Sequence, residues 1–420
     1  MTPCGRSEKV LINAPLRRAR QIFYRGSILE QHEKKIIKLT TSSHALVHLL
    51  EGVIPPLIPL LMLEFSTDYF HMGLVVTVLS YAFGFGSLPA GFVVDRIGPR
   101  RLITAYLFGT GAASLLVIGA GSLITYGILM GLVGLFCSPY HPASNALISV
   151  GIKEKGRVFG IHGIAGSLGV AVVPVVSAWI GTYAGWRGPH ILYGIIGLGL
   201  GFYSLTIRRQ KTEKKTGADK PKEKGAEQKI SLLNLIFFFI SAMALGLTYK
   251  GIMTFLPAYM GENVTWAGMS VNKVTLGGTV TTLALLSGAV GQYIAGRLVD
   301  RISAERLYLL SIAVGTICVF IMSVSTNVML IAAAVVYAFF YFSTQPIQNY
   351  LLSRYFPPHR QGMGYGIHFF ITFGIGSTAA AVSGYLADQF GLRSVFYFMG
   401  MCFILSCVAS WILLVRTREK

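Results

Sequence analysis

From Thr40 onward the chain alternates apolar runs of about 20 residues, the length that crosses a bilayer as a helix, with short turns that hold most of the charge. The runs predict helices over 40–63, 72–95, 101–120, 122–150, 157–183 and 188–207, then 231–261, 273–298, 306–325, 328–353, 361–387 and 392–415, an all-α membrane protein with twelve crossings. No basic start followed by a short apolar run and a small-residue cleavage site precedes Thr40, so no removable signal peptide is expected. The first helix is expected to direct insertion.

One polar stretch interrupts this pattern at its midpoint. "RRQKTEKKTGADKPKEKGAEQK", from Arg208, has no apolar run and predicts a solvated linker between two sets of six helices. The two sets repeat each other. "GFVVDRIGPRR" from Gly91 recurs as "GRLVDRISAER" from Gly296, "HPASN" from His141 as "QPIQN" from Gln345, "FGIHG" from Phe159 as "YGIHF" from Tyr365, and "GWRGPHILYG" from Gly185 as "GLRSVFYFMG" from Gly391. The offsets are 205, 204, 206 and 206, which marks a duplicated six-helix unit. The expected domains are a basic segment 1–39, a first half 40–207, a linker 208–230, a second half 231–415 and a tail 416–420. The basic segment is expected either as an amphipathic helix on anionic lipid or as a disordered tail.

Composition agrees with the pattern. Of 420 residues 53% are hydrophobic and 13% charged, with a mean hydropathy of +0.61, against about 25% charged in soluble domains. A net charge of +19 would suggest nucleic acid on a soluble domain, but the charge is distributed by membrane face. If both ends lie on one side, 32 of the 36 Lys and Arg fall on that side, which predicts cytoplasmic termini. Arg187, Lys273 and Arg393 fall in the opposite loops, and Lys250 lies within a helix. The five cysteines show no ligand spacing and imply neither a disulfide framework nor a metal site.

The six-plus-six pattern, the basic central loop and Gly91-x-x-x-Asp95-Arg96-x-Gly98-x-Arg100-Arg101 between helices 2 and 3 resemble the major facilitator superfamily over residues 40–415. Within it, "SHALVHLLEGVIPPLIPLLMLEF", "MGLVVTVLSYAFGFGSLPAGFVVDR" and "YHPASN" are similar to the fosmidomycin-resistance type, from which the acidic residue and prolines of helix 1 depart. The resemblance implies that the loop is a gate, with Asp95 held by Arg96, Arg100, Arg101 or a helix N-terminus, latching the halves when the outer side is open. Asp300 and Arg301 repeat the arrangement, while Ser303 and Glu305 replace the glycine and a basic residue. The antiporter signature of helix 5 is matched only in part by Gly169 and Pro174, because Val173 stands where glycine is expected.

The candidate chemistry lies in the helices. Counting from Thr40 puts Glu51 about 16 Å into the membrane, where an ionisable group is a functional candidate by default. Aligning "EGVIPPLIPLLM" with "KGIMTFLPAYM", with one gap, places Lys250 at the repeat position of Glu51. Two readings follow: a buried ion pair that only holds the halves together, or a cation for the solute beside a carboxylate that takes the coupling proton. His44, His48 and Glu51 share a helix face, with His44 expected close to the cytoplasmic end. Two histidines one turn apart can hold a metal or haem, but nothing completes the set, so a polar stripe facing an aqueous cavity is expected and no metal or cofactor. Proline-bearing helices 4 and 10 carry His141 and Asn145, and Gln345 and Asn349 with Tyr341 a turn before. These side chains either build a central polar site or repair the helix around Pro142 and Pro346. His162 and His368 occupy equivalent places nearer the termini side.

The expectation is a proton-coupled secondary transporter, not an enzyme, working by alternating access between two halves around a midplane site. The site residues are His48, His141, Asn145, Tyr249, Lys250, Gln345 and Asn349, with Glu51 as proton carrier and Gly91, Asp95, Arg96, Gly98, Arg100, Arg101, Asp300 and Arg301 as gate. A small organic anion, a carboxylate or phosphonate, is the expected partner, with protons and membrane lipid but no nucleic acid, in a monomer of the cell or inner membrane. Efflux of an amphipathic drug is the alternative suggested by the aromatic runs "NLIFFF" and "YAFFYF". An intramembrane haem- or metal-binding protein is the alternative of another class.

Overall fold

A computed structural model describes residues 13–152, 155–207, 232–265, 271–356 and 361–418. The predicted linker 208–230 and the ends of the basic segment and tail lie outside the described residues. Every regular element among the described residues is helical. The first half holds α1 (Asn13–Glu51), α2 (Ile54–Phe65), α3 (Tyr69–Ile97), α4 (Pro99–Leu116), α5 (Leu123–Cys137), α6 (Tyr140–Gly151), α7 (Lys155–Ala184) and α8 (Arg187–Leu205). The second holds α9 (Leu232–Asn263), α10 (Lys273–Leu298), α11 (Ala304–Val324), α12 (Asn327–Tyr355), α13 (Gln361–Phe369), α14 (Thr378–Phe390) and α15 (Leu392–Arg418).

Three predicted helices are broken. The first crossing divides into α1 and α2 because Pro55 and Pro56 bring no N–H to the ladder, so α1 ends at Glu51 and α2 restarts past Gly52 and Val53. The fourth divides into α5 and α6 at Ser138 and Pro139, so the break falls at Pro139 and not at Pro142, which sits in the first turn of α6. The eleventh passes from α13 through a π segment, Phe370–Gly374, and a short 3-10 turn into α14. Irregular backbone at membrane depth is tolerated where it is buried in protein or lines a water-filled space.

Eleven helical spans among the described residues are long and apolar enough to cross a membrane, the first running Gln31–Phe65. It begins before the predicted Thr40, and the backbone is already helical from Asn13, so the basic segment runs into the first crossing as one helix. The twelfth crossing is α8, where a polar start at Arg187 to His190 and repeated glycines dilute the apolar character.

Alternating crossings place the chain ends, Gly98 and the turn before α11 on one face, here the termini face. On the opposite face the halves are closed. Asp388 at the end of α14 accepts the backbone N–H groups of Tyr69 and Phe70 at 3.1 and 2.8 Å, so a carboxylate of the second half caps the N-terminus of α3 in the first. Beside it, a Cβ on Gly384 would stand 2.3 Å from the Tyr69 carbonyl oxygen. Across the molecule Gly278 of α10 meets Pro174 of α7, where a Cβ would stand 2.5 Å from the carbonyl oxygen. Val175 N–H donates to Thr282 Oγ1 at 3.0 Å and Trp179 Nε1 to Thr279 Oγ1 at 3.0 Å. Toward the termini face the halves part, leaving Asn145, Gly163 and Asn349 exposed.

Backbone contact at the closed face depends on the missing side chain at position 384. Gly384→Val is expected to lengthen the distance between spin labels placed at the exposed positions 71 and 389; an unchanged distance would show that the closure does not rest on this contact.

Candidate solute site

A cavity of about 370 Å³ lies between the halves, open toward the termini face. The first half contributes His44, His48, Glu51, His141, Asn145 and His162, and the second Tyr249, Gln292, Gln345, Gln348, Asn349 and His368. Seven of the eight residues expected for solute or proton therefore share one wall system: His48, Glu51, His141, Asn145, Tyr249, Gln345 and Asn349. Lys250 does not line it. It borders a smaller adjoining pocket, which it shares with His48, Glu51 and Tyr249.

Lys250 is withdrawn because it is engaged. Its Nζ donates to Glu51 Oε1 at 2.6 Å, and the two side chains are 7% and 8% exposed. The ammonium also faces the rings of Tyr249 and Phe373, at 5.8 and 5.9 Å from their centroids. The repeat alignment placed these residues at equivalent points, and the break after Glu51 frees its side chain to reach across to α9. His48 Nδ1 stands 3.4 Å from the other carboxylate oxygen of Glu51.

A histidine cluster adjoins the pair. His44 is stacked on His162 with centroids 4.0 Å apart, and lies 5.1 Å from His48 and 5.3 Å from His141. Its Nδ1 donates to the His162 carbonyl at 2.6 Å. The placement of His44 near the end of its helix is corrected: counted from Gln31 it lies well inside the span and reaches the cavity.

On the second half, amides dominate. Gln292 Nε2 donates to Gln345 Oε1 at 2.6 Å, and the Gln292 carbonyl accepts from Ser167 Oγ of the first half, so one short chain crosses the cavity. Gln348 links His368, at 3.2 Å, to the Tyr308 hydroxyl, at 2.9 Å. Gln292 and Gln348 escaped the sequence reading. Gln348 is adjacent to Asn349 and could have been found from the turn-spaced amides of helix 10; Gln292 sits in an apolar run with no motif around it. Tyr249 stacks on Tyr341 at 5.4 Å, and the Tyr341 hydroxyl donates to the Leu245 carbonyl.

With this geometry described, comparison with known proteins decides the family. The Major Facilitator Superfamily model matches residues 40–272 and 238–420. The chain belongs to the major facilitator superfamily. The transporter is 23% identical over 387 residues to the D-galactonate transporter of Escherichia coli O6:H1 strain CFT073, covering 84% of this chain and 88% of that protein. It is 32% identical over 157 residues to the probable L-galactonate transporter of Escherichia coli strain K12, which is 36% of this chain and spans only 34% of that protein's length. Among solved structures, a point mutant of the nucleoside transporter NupG superposes with a TM-score of 0.74 at 13% identity, over 91% of this chain and 99% of that one. The expected twelve-helix fold in two six-helix repeats is the fold of this family, and the protein is a multi-pass membrane transporter, not an enzyme.

The loop residues lie apart from the cavity. Gly98 at φ +92° makes the turn between α3 and α4, a backbone angle that favours glycine. Gly91 has open space beside it, and Asp95, Arg96 and Arg101 are exposed. Arg100 donates to the Ser204 and Leu205 carbonyls at 3.1 and 3.0 Å, capping the end of α8 within the first half. With the termini face open, no described residue pairs with Asp95: Arg100 is spent on α8, and Arg96 and Arg101 are exposed. Asp300 and Arg301 are exposed as well, whereas Glu305 is buried against Arg354, at 3.4 Å, and the Tyr355 hydroxyl, at 3.2 Å.

Removing one member of a buried pair strands the other charge, at a cost of about 3–5 kcal/mol. Lys250→Ala is expected to lower the thermal unfolding temperature of the purified transporter clearly, and the double variant Glu51→Gln/Lys250→Met to recover most of the loss. A Lys250→Ala protein as stable as the parent would show that the pair contributes nothing to folding.

Proposed function

We propose that the transporter couples movement of a small organic anion to protons by alternating access. The observation that carries this reading is the Glu51–Lys250 pair, which joins the two halves beside the cavity with both charges buried. While Glu51 is ionised it occupies Lys250. Protonation of Glu51 removes its hold on the ammonium and leaves a buried cation that needs a new partner. A carboxylate, phosphonate or sulfonate solute meets that need, so proton and anion are taken up together. His48, His141, Asn145, Tyr249, Gln345 and Asn349 supply donors and acceptors for the rest of a hydroxylated solute.

The names of relatives support the class. Two are called transporters of galactonate, and a third, from Cupriavidus necator, a probable sulfoacetate transporter. Each named solute is a small anion. Lys and Arg on the termini face support cytoplasmic termini, so the cavity here opens inward in the cell or inner membrane. In the opposite state Gly91, Asp95, Arg96, Gly98, Arg100, Arg101, Asp300 and Arg301 would latch the termini face. We take the functional unit to be a monomer. Stacked aromatic rings in the wall, Tyr249 on Tyr341 and Phe369 on Phe373, favour drug efflux as the second reading.

The test is uptake into proteoliposomes under an imposed pH gradient, over aldonates, sulfonates, phosphonates and cationic drugs. Gradient-driven accumulation of an anion is expected. Glu51→Gln is expected to abolish accumulation against the gradient while retaining solute exchange, since the neutral amide mimics the protonated carboxyl. Full accumulation by Glu51→Gln would remove Glu51 as proton carrier, and transport of cationic drugs alone would replace the anion reading with efflux.

A further inference from the structure

We infer that His44, His48 and His141 form a site for a divalent transition-metal ion, with an open coordination position facing the cavity. The inference does not depend on the solute or coupling proposed above. One ring nitrogen from each histidine lies within 4.8 Å of the other two. Metal–imidazole bonds are about 2.0–2.1 Å, which puts tetrahedral nitrogens about 3.3 Å apart, so small side-chain rotations complete the set. Neutral imidazole is the preferred ligand of zinc, cobalt, nickel and copper.

The surroundings are those of a built site. A metal-binding histidine normally donates its second ring N–H to a carbonyl or carboxylate, which fixes the tautomer. His44 does so through Nδ1 to the His162 carbonyl at 2.6 Å, and since a carbonyl only accepts, the proton is on Nδ1 and Nε2 carries the free lone pair. His48 Nδ1 stands 3.4 Å from a Glu51 carboxylate oxygen, within reach of the same kind of support. The bare face of Gly166 seats the His44 ring: a Cβ there would stand 2.4 Å from the ring carbon Cε1.

The position also fits a role. His44 and His48 belong to α1 and His141 to α6, all in the first half, so the ion would move with that half and not lock the two halves together. The cavity wall contains no Lys or Arg among the described residues, and Lys250 behind it is engaged by Glu51. A three-histidine ion therefore adds positive charge and at least one exchangeable position where a carboxylate can bind.

The full chain, purified in detergent and stripped with a chelator, should be titrated with Co(II) followed by visible absorption, and with Zn(II) in competition. Expected are one ion per chain with ligand-field bands of a low-coordinate nitrogen site, and at least about tenfold weaker binding in His141→Ala. Gly166→Val, which retains all three ligands but displaces the His44 ring, should weaken binding likewise, and His71→Ala, in the exposed His71–Asp68 pair, should bind as the parent does. Absence of saturable binding, parental affinity in both His141→Ala and Gly166→Val, or loss of binding in His71→Ala would each overturn the site. A His141→Ala protein that does not purify leaves Gly166→Val to decide.

Discussion

Opposite charges at membrane depth must find each other, and in this fold they do so between the halves. Glu51 ends α1 because the prolines that follow remove the next ladder donors, and the break turns its carboxylate toward α9. Lys250 meets it at 2.6 Å from an unbroken helix. Either charge alone in that position would cost several kcal/mol, so the pair constrains how α1 and α9 approach. It also sets the electrostatics of the cavity, because the cation behind the wall is neutralised by the carboxylate that lines it.

Closure elsewhere rests on backbone contact and a carboxylate cap, not on a buried ion pair. On the face away from the termini, glycines of α10 and α14 allow the halves to touch main chain to main chain, and Asp388 caps α3 from across the interface. These contacts are short-ranged and have no give, so the interface is either made or parted. On the termini face the glycines that could play the same part, Gly91, Gly160 and Gly366, have nothing near them. The same residue type thus marks contact on one side and its absence on the other. The Glu51–Lys250 pair joins the halves between these two faces.

Much of this was legible in the sequence because repetition and hydropathy are properties of single residues and their order. Twelve crossings and two halves follow from run lengths and repeats, and the pairing of Glu51 with Lys250 from one alignment. Legibility failed where an outcome depends on which residue wins a shared partner. Arg100 is one of several candidate partners of Asp95 in the sequence, but here the free carbonyls at the end of α8 take its guanidinium. The fourth crossing reads as one helix disturbed around Pro142, yet a proline in the first turn of a helix is harmless, and the chain breaks at Ser138 and Pro139. Counted from Thr40, His44 falls near the membrane edge, but the helix starts earlier, so His44 lies well inside the span and lines the cavity. Gln292 left no signal, since a single amide in an apolar run has the same appearance whether it faces lipid or a bridge across the site.

The duplicated scaffold carries an unequal site, and the inequality has a direction. All four clustered imidazoles, from His44, His48, His141 and His162, come from the first half, while the second supplies tyrosines, amides, the lysine and the single imidazole of His368. At the repeat positions His141 corresponds to Gln345 and Glu51 to Lys250, so the halves differ there, while His162 corresponds to His368 and the repeat is kept. A cavity divided in this way presents an imidazole- and carboxylate-rich wall on one side and a mainly amide and tyrosine wall on the other. Under the coupling proposed above, the first half would carry the groups that respond to a bound ion, and the second the cation that answers them.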